Sequence, residues 1–319
     1  MSVRLTILGC HSATPRVNSH TTSQFLEINN HHFLIDCGEG TQVQLRKYKV
    51  KFSKIEHIFI SHLHGDHFFG LVGFVATLGL LNREKPLHIY GSKGIKEIIV
   101  LQLKLSKSWT NFPLVFHELS SKKSEVIFED DKVVVKTIPL KHRVYTNGFL
   151  FQEKEGERKL DMFNVEKYPE IEICDYQNLK NGKDFTKEDG TVIPNKNLTK
   201  DPDKPLSYAF CSDTMYLPEI VPLIKKVDLL YHESTFLKDR EHLCETTMHS
   251  TAEQAAKIAF QAEAKQLILG HYSSRYDDLN LFLKEAKTIF ENTYLAQEGR
   301  VFELQNKKPI LPKLNDYKH

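Results

Sequence analysis

The feature that most constrains this 319-residue chain is a run of seven residues, Ser61 to His67 (SHLHGDH). It crowds three histidines and an aspartate into one short turn. Immediately before it stands a short apolar stretch rich in isoleucine, within IEHIFIS (55–61), of the kind that forms a buried strand. Burying so many polar groups is costly unless each finds a partner, because like charges repel and desolvated donors need acceptors. The fold must therefore bring other donors, or something that binds them all, to the end of this strand.

Other donors recur at one kind of place, the C-terminal end of an apolar run. VVVKTIPLKH ends at His142, LSYAFCSD at Asp213, VDLLYHE at Glu233 and QLILGH at His271. Asp66 and His67 fall on the turn itself or on the first turn of the next helix. Strand ends in one sheet system share an edge, where rigidly supported side chains converge. Imidazole and carboxylate without thiolate suit zinc well, and manganese or iron less specifically. Two cations about 3.5–4 Å apart can share a bridging carboxylate and clamp the attacking and leaving oxygens of a displacement. Zinc also lowers the pKa of a bound water to about 7. His11, His20, His31, His32, His57, His88, His117, His232, His242 and His319 read as ordinary core or surface residues. His57 lies inside a strand and His31–His32 beside a hairpin turn, and nothing in the sequence pairs them with other donors.

Strands and helices alternate in two halves, which points to an α/β fold with helices covering sheets. Val3 to Leu8 reads as a first strand. Thr22 to Ile28 and His32 to Asp36 read as a hairpin around Asn29–Asn30. A short helix is expected over Thr41 to Tyr48. FFGLVGFVATLGLL, after the heptapeptide, is long enough for a buried helix. Further strands fall at Leu87 to Tyr90, Val115 to Leu119, Glu125 to Glu129 and Val133 to Pro139, with a helix over Ile95 to Leu105. From 152 to 205 the texture changes to Lys, Glu, Asp, Asn and Pro, as in an arm inserted into a single domain spanning 1–319. Beyond it, Pro218 to Val227 reads as a short helix. Ser250 to Glu253 reads as a capping box opening a helix that runs to about Ala262. Asp278 to Asn292 reads as a last helix.

The net charge of +2 does not announce a nucleic-acid binder, so such a role must rest on local patches. The basic clusters at Lys47 to Lys54, Lys93 to Lys107 and Lys307 to Lys318 read as solvated surface. Cys10, Cys37, Cys174, Cys211 and Cys244 are odd in number and lack a CxxC pair, which fits buried or free thiols in a reducing compartment. No apolar run approaches the roughly eighteen residues of a membrane span. The start, MSVRLTILGC, lacks the form of a signal peptide, so a cytoplasmic protein is expected.

His62, His64, Asp66 and His67 form HxHxDH after a strand, and in this the chain resembles the metallo-β-lactamase superfamily. LIDCGEGTQVQLRKYKVKFSKIEHIFISHLHGDHFFGL, LKHRVYTNGF, AFCSDT, HESTF, MHSTAEQAA and LGHYSSRY, in that order, resemble its ribonuclease Z branch, the tRNA 3′-processing endonucleases, over nearly the whole chain. The resemblance implies an αββα sandwich with an inserted arm and two zinc ions per subunit, with Mn2+ or Fe2+ as alternatives. It implies His62, His64 and His142 on one ion, Asp66, His67 and His271 on the other, and Asp213 between them. Asp66 would also orient or deprotonate the attacking water. His249, paired with Glu233, would protonate the leaving 3′-oxygen, and Arg275 would steady the scissile phosphate. Precursor tRNA would be the substrate of a homodimer in which one subunit's arm grips tRNA for the other. Two places depart from the family pattern: Ser19–His20 stand where Arg-Asn is expected, and the arm lacks a Gly-Pro pair. The competing expectations are a hydrolase of the same fold acting on a small ester or phosphodiester, and a non-catalytic RNA-binding protein.

Overall fold

The structure, a computed structural model, describes residues 2–305 and 313–314; His319 and most of the basic run from Lys307 to Lys318 lie outside them. Two large sheets face each other. The first carries β1 (Ser2–Gly9), β2 (Ser23–Ile28), β3 (His31–Cys37), β4 (His57–Phe59), β5 (Leu87–Ser92), β6 (Leu114–Leu119) and, from the far end of the chain, β18 (Arg300–Gln305) and β19 (Lys313–Leu314). Its order is β19-β18-β1-β2-β3-β4-β5-β6, with β3 to β6 parallel. The second carries β7 (Val126–Glu129), β8 (Val133–Leu140), β9 (Thr146–Glu153), β14 (Ser207–Cys211), β15 (Leu229–Glu233), β16 (Leu267–Gly270) and β17 (Thr293–Leu295). Its order is β17-β16-β15-β14-β9-β8-β7.

Side-chain alternation along the strands explains the layers. Phe33, Ile35 and Phe59 point into the core between the sheets, beside Val135, Phe149, Phe151 and Phe210 of the second sheet. Leu34, Ile58 and Ile60 point outward. There they pack under α3 (Leu71–Leu80) and α4 (Ile95–Leu105), with α1 (Thr41–Lys47) nearby. On the other side α8 (Ala252–Gln261) buries Ala255, Ala256 and Ala259 against β15 and β16, and α9 (Asn280–Lys287), with Phe282 and Ala286 buried, packs on α8 and β17. The result is the expected helix–sheet–sheet–helix sandwich.

Asn29 and Asn30 both adopt left-handed backbone (φ 46° and 69°), the two-residue turn that matches strand twist. The long apolar run after the heptapeptide is not one helix. It splits into α2 (Gly65–Phe68) and α3, because the Gly70 amide donates to the Cys37 carbonyl at 2.9 Å. A Cβ at Gly70 would lie 2.1 Å from the Gly38 carbonyl oxygen, so only glycine allows the helix start to press on the end of β3. Nor is α3 buried all round: Leu71, Phe74, Val75 and Leu78 are covered, but Leu80 is 84% exposed.

Three further expectations shift. The capping box is Thr251 with Gln254, one residue later than Ser250 with Glu253. The last helix ends at Lys287 because its final turn tightens, with Thr288 bonding to Glu285 and Ile289 to Ala286. The arm begins after β9, a strand concealed in the sequence by Asn147 and Gly148 at its start. Glu153 closes the neck of the arm: its amide donates to the Leu206 carbonyl, and the Leu206 amide donates to its carboxylate, both at 2.9 Å. The arm holds β10 (Lys159–Leu160) paired with β13 (Thr199–Lys200), β11 (Phe185–Thr186) paired with β12 (Val192–Ile193), α5 (Met162–Val165) and α6 (Tyr176–Lys180). Val165, Ile171, Leu179, Ile193 and Leu198 give it a small core of its own. Of the cysteines, Cys174 is exposed and the other four are buried, all unbridged. No described helix is long and apolar enough to cross a membrane.

Candidate metal centre

Strand direction assembles the site. β8 and β14 each pair antiparallel with β9, so they run the same way, and β15 and β16 run parallel to β14. Their C-terminal ends therefore share one edge, which receives His142, Asp213, Glu233 and His271. β3 and β4 deliver Asp36 and, just beyond the strand, His62 from the facing sheet. The short α2 adds Asp66 and His67.

Seven predicted donors converge in two overlapping groups. In the first, His64 Nδ1 lies 3.1 Å from His62 Nε2 and 3.2 Å from His142 Nε2. Asp213 Oδ2 faces this group, 3.6 Å from His62 Nε2 and 3.9 Å from His142 Nε2. In the second, Asp66 Oδ2 and Asp213 Oδ1 each lie 3.3 Å from both His67 Nε2 and His271 Nε2. Asp213 thus turns one oxygen toward each group. Within each group, all ligand atoms lie within 4.8 Å of one another.

The outer nitrogens of four rings are engaged elsewhere. His67 Nδ1 meets Asp36 Oδ2 at 2.7 Å, and His62 Nδ1 meets the Ser61 hydroxyl at 3.0 Å. His142 Nδ1 donates to the Met248 carbonyl at 2.9 Å, and His271 Nδ1 meets the Thr235 hydroxyl at 2.8 Å. Such outer partners fix ring orientation and tautomer in metal sites. Asp36 in turn accepts from the Ser61 amide and hydroxyl at 2.7 and 2.9 Å. The inner atoms are left facing one another: among the described residues, His67 Nε2 and Asp213 Oδ1 are buried without any hydrogen-bond partner.

Charge states agree with the geometry. Burial holds His62 well below the ordinary imidazole value, with His67 adding to the effect, and burial also lowers His64 and His142. Burial opposes ionisation of Asp213, yet His271, His67 and His62 hold it well below the carboxylate range. For His67, burial is outweighed by Asp213, Asp66 and Asp36, which push the ring well up. The neutral rings of His62, His64 and His142 beside ionised Asp213 are what a cation requires of its ligands, and the three carboxylates that raise His67 call for added positive charge that a cation would supply in place of that ring's proton. The residues present therefore fit divalent metal.

Beside the cluster, His249 Nδ1 meets Glu233 Oε1 at 2.9 Å. Glu233 is fully buried and also accepts from the amides of Thr214, Thr235 and Ser250 and from the Thr235 hydroxyl. Burial lowers His249, but Glu233 prevails and raises it to about 9. The ring stands 5.0 Å from that of His142 and 5.3 Å from that of His271, centroid to centroid. His249, His64, Asp66, His271 and Arg275 line a cavity of about 560 Å³ over the cluster. Arg275 makes long contacts, 3.4 Å, to the Ser273 hydroxyl through its backbone amide and its guanidinium.

Asp36, Met248 and His271 take left-handed backbone at φ 55°, 56° and 62°. Such conformations are costly for residues with a side chain and tend to gather at functional sites. Sequence patterns alone assign no role to Asp36, Ser61, Thr235 or the Met248 carbonyl. Asp36 carried a usable signal, since LIDCGEG is another apolar strand ending in a carboxylate. Met248 carried none, because a backbone carbonyl has no residue type. The altered Ser19–His20 element lies in the loop before β2. There His20 meets Glu298 at 3.0 Å through Nδ1.

A family model described as "Anti-Pycsar protein Apyc1" matches residues 3–160. Ribonuclease Z of Bacteroides fragilis is 45% identical over 302 residues, covering 94% of this chain and 98% of that protein. Ribonuclease Z of Cytophaga hutchinsonii is 47% identical over 312 residues, covering 96% and 98%. Among solved structures, the short form of human tRNase Z superposes with a TM-score of 0.67 at 27% identity, covering 93% of this chain and 98% of that one. The metallo-β-lactamase fold protein YhfI of Bacillus subtilis superposes with a TM-score of 0.66 at 19% identity, covering 95% and 98%, and shares the fold. With relatives this similar along almost its entire length, the chain belongs to the ribonuclease Z family and has the metallo-β-lactamase fold.

Proposed function

We propose that this protein is a metal-dependent endoribonuclease that cuts precursor tRNA on the 3′ side of the discriminator base. The products are tRNA with a free 3′-hydroxyl and a trailer with a 5′-phosphate. The observation that carries the reading is the position of Asp213, whose two oxygens face two donor groups beside a buried acid–base pair, in a chain 45% identical to ribonuclease Z.

His62, His64 and His142 would hold one ion, Asp66, His67 and His271 the other, with Asp213 shared between them. Two Zn2+ suit this donor set, and Mn2+ or Fe2+ are the alternatives. When bound, such a pair supplies positive charge to the phosphate and a nucleophilic water near neutral pH. The rest falls to the chain. Asp66, exposed by only 8% at the cavity wall, orients the water for in-line attack on phosphorus. Arg275 steadies the phosphate from the rim. As the bond from phosphorus to the 3′-oxygen breaks, His249 gives its Nε2 proton to that oxygen, and Glu233 on Nδ1 stabilises and orients the charged ring. The raised His249 value supports this role, since the ring carries its proton at neutral pH.

The arm from Lys154 to Pro205 is read as the part that grips tRNA. Its exposed Phe163 and Ile173, at 73% and 81%, support a binding role. A homodimer is the expected assembly; Leu80, Leu105 and Trp109 leave apolar side chains on the outer helical layer for a second copy to cover. A cytoplasmic location goes with this reading.

The test is cleavage of a 3′-extended precursor tRNA by metal-loaded wild type, Asp213→Ala and His249→Ala, with bis(p-nitrophenyl) phosphate in parallel. Cleavage next to the discriminator base, lost in both variants, is expected. A wild type that spares the precursor but hydrolyses the small diester would make the protein a small-phosphodiester hydrolase instead.

A further inference from the structure

A second cavity, of about 750 Å³, opens beside the one over the metal centre, and Arg143 lines both. His142, a metal-ligand candidate, forms part of the wall of the second. Three stretches build it: the loop from Ser121 to Ser124, the turn from Pro139 to Thr146, and residues Leu217 to Leu223 beyond β14. The Tyr145 hydroxyl donates to the Ser121 carbonyl at 2.8 Å and ties the first stretch to the second.

The lining has two unlike sides. Lys122, Lys123, Lys141 and Arg143 are exposed along it. Among the described residues none of the four has a carboxylate within ion-pair distance, whereas Lys225, two residues beyond Leu223, pairs with Glu263 at 2.6 Å. Among the described residues Glu219 is the one acid in the wall. The other side is apolar: Leu140, Val144, Leu217 and Leu223, of which Val144 is 40% and Leu223 37% exposed. Free cations facing an apolar wall suit a flexible polyanion with flat apolar faces, which describes unpaired nucleic acid. A duplex would use the cations and leave the apolar wall without a partner, because its bases are stacked inward.

We propose that this cavity is the subsite for the first nucleotides of the 3′ trailer, a reading that rests on the endoribonuclease function above. The unpaired parts of the substrate beside the cut are the single discriminator nucleotide and the trailer. The discriminator's 3′-oxygen must meet His249, which places that nucleotide in the cavity over the metal centre. The strand leaving the cut phosphate then crosses Arg143. It lays its bases on Leu217 and Leu223 and its phosphates on Lys122, Lys123 and Lys141.

The experiment compares precursors carrying trailers of one and of about twelve nucleotides, cut by wild type and by K122E/K123E, both fully metal-loaded. For wild type, KM is expected to be about tenfold lower with the long trailer, and the double variant should lose that preference. The salt dependence of log KM for the long trailer should flatten by about 1.4, roughly 0.7 for each lysine–phosphate pair removed from a single strand. An equal rise in KM at both lengths would assign the lysines to the tRNA body and overturn the proposal, as would no change at either length. Should wild type cut neither precursor, the tRNA assignment fails. Fluorescence anisotropy with a 5′-phosphorylated single-stranded RNA of about twelve nucleotides then decides the subsite: weaker binding by K122E/K123E supports it, and equal binding overturns it.

Discussion

Histidines gather at both ends of the parallel strands β3 to β6, and only one gathering is built to hold metal. At the C-terminal end, His62, His64, His67, His142 and His271 surround Asp66 and Asp213, and the outer nitrogens of four of the rings are tied back by Asp36, Ser61, Thr235 and the Met248 carbonyl. Toward the N-terminal end, His31, His57, His88 and His117 lie on four adjacent strands. These rings use one another and their aromatic neighbours instead. His88 Nδ1 meets His117 Nε2 at 3.0 Å, His57 stacks on His88 at 4.9 Å, and His117 stacks on Tyr90 at 4.2 Å. Of the carboxylates here, Asp130 pairs with His31 at 2.8 Å and Glu56 is engaged by Lys85 at 2.8 Å. Among the described residues, no three donors of this second cluster come as close together as those of the first. Histidine count does not make a metal site. A shared carboxylate and outer partners that aim the lone pairs inward do.

The largest expected effect tests that shared carboxylate. Asp213→Ala should lower phosphodiester cleavage by on the order of 10⁴-fold and reduce bound metal, measured by single-turnover cleavage and metal analysis of the same sample. A chelator should reproduce the loss in wild type, with recovery on adding Zn2+. No substitution at His88 should change metal content, and a fall there would erase the contrast between the two ends.

Next comes the acid. His249→Ala should reduce kcat on precursor tRNA by about 10²- to 10⁴-fold. The loss on bis(p-nitrophenyl) phosphate should be much smaller, since p-nitrophenolate leaves without a proton. Equal losses on both substrates would assign His249 to metal or phosphate binding.

Smaller again is the effect of the outer partners. Asp36→Asn should weaken metal binding by about 10- to 100-fold with the fold retained, read by competition with a chromophoric chelator. Unchanged affinity would show that the His67 ring is held by packing alone.

The smallest effect belongs to the second cluster and concerns stability. Burial, reinforced by His88 and His31, lowers His57 to about 4. Its value when unfolded is the ordinary 6.5, so between these two values the unfolded chain binds more protons. Stability is therefore full above about pH 6.5 and drains away as pH falls toward about 4. The loss should be about 2 kcal/mol, less than the full shift implies because the ring keeps some contact with water. His57→Phe should keep the contacts with Phe33 and Phe128 and remove that part of the acid sensitivity in urea melts taken from pH 7 to 4.5. Parallel curves for the two proteins would show that His57 does not titrate with folding.

The first cluster was readable residue by residue because each donor follows an apolar strand, a pattern that survives in one dimension. The second was not. His31, His57, His88 and His117 are separated by up to 86 positions, from 31 to 117, and only the lateral order of β3 to β6 stacks their rings. The break between α2 and α3 was hidden for a similar reason. An apolar run gives no sign that the Gly70 amide will leave the helix to bond with Cys37. The arm showed itself by composition, but its neck at Glu153 and Leu206 and its core around Leu179 required tertiary contacts.

By itself the sequence determined the alternation of strands and helices, the donor types and their place at strand ends, because hydrophobic periodicity and side-chain chemistry act locally. Tertiary structure alone decided that β8, β14, β15 and β16 run the same way, so that His142, Asp213, Glu233 and His271 meet at one edge. It also turned the two oxygens of Asp213 toward different donor groups, and it set a cation-lined cavity against His142. Those outcomes depend on strand direction and on packing between distant segments, which no local pattern encodes.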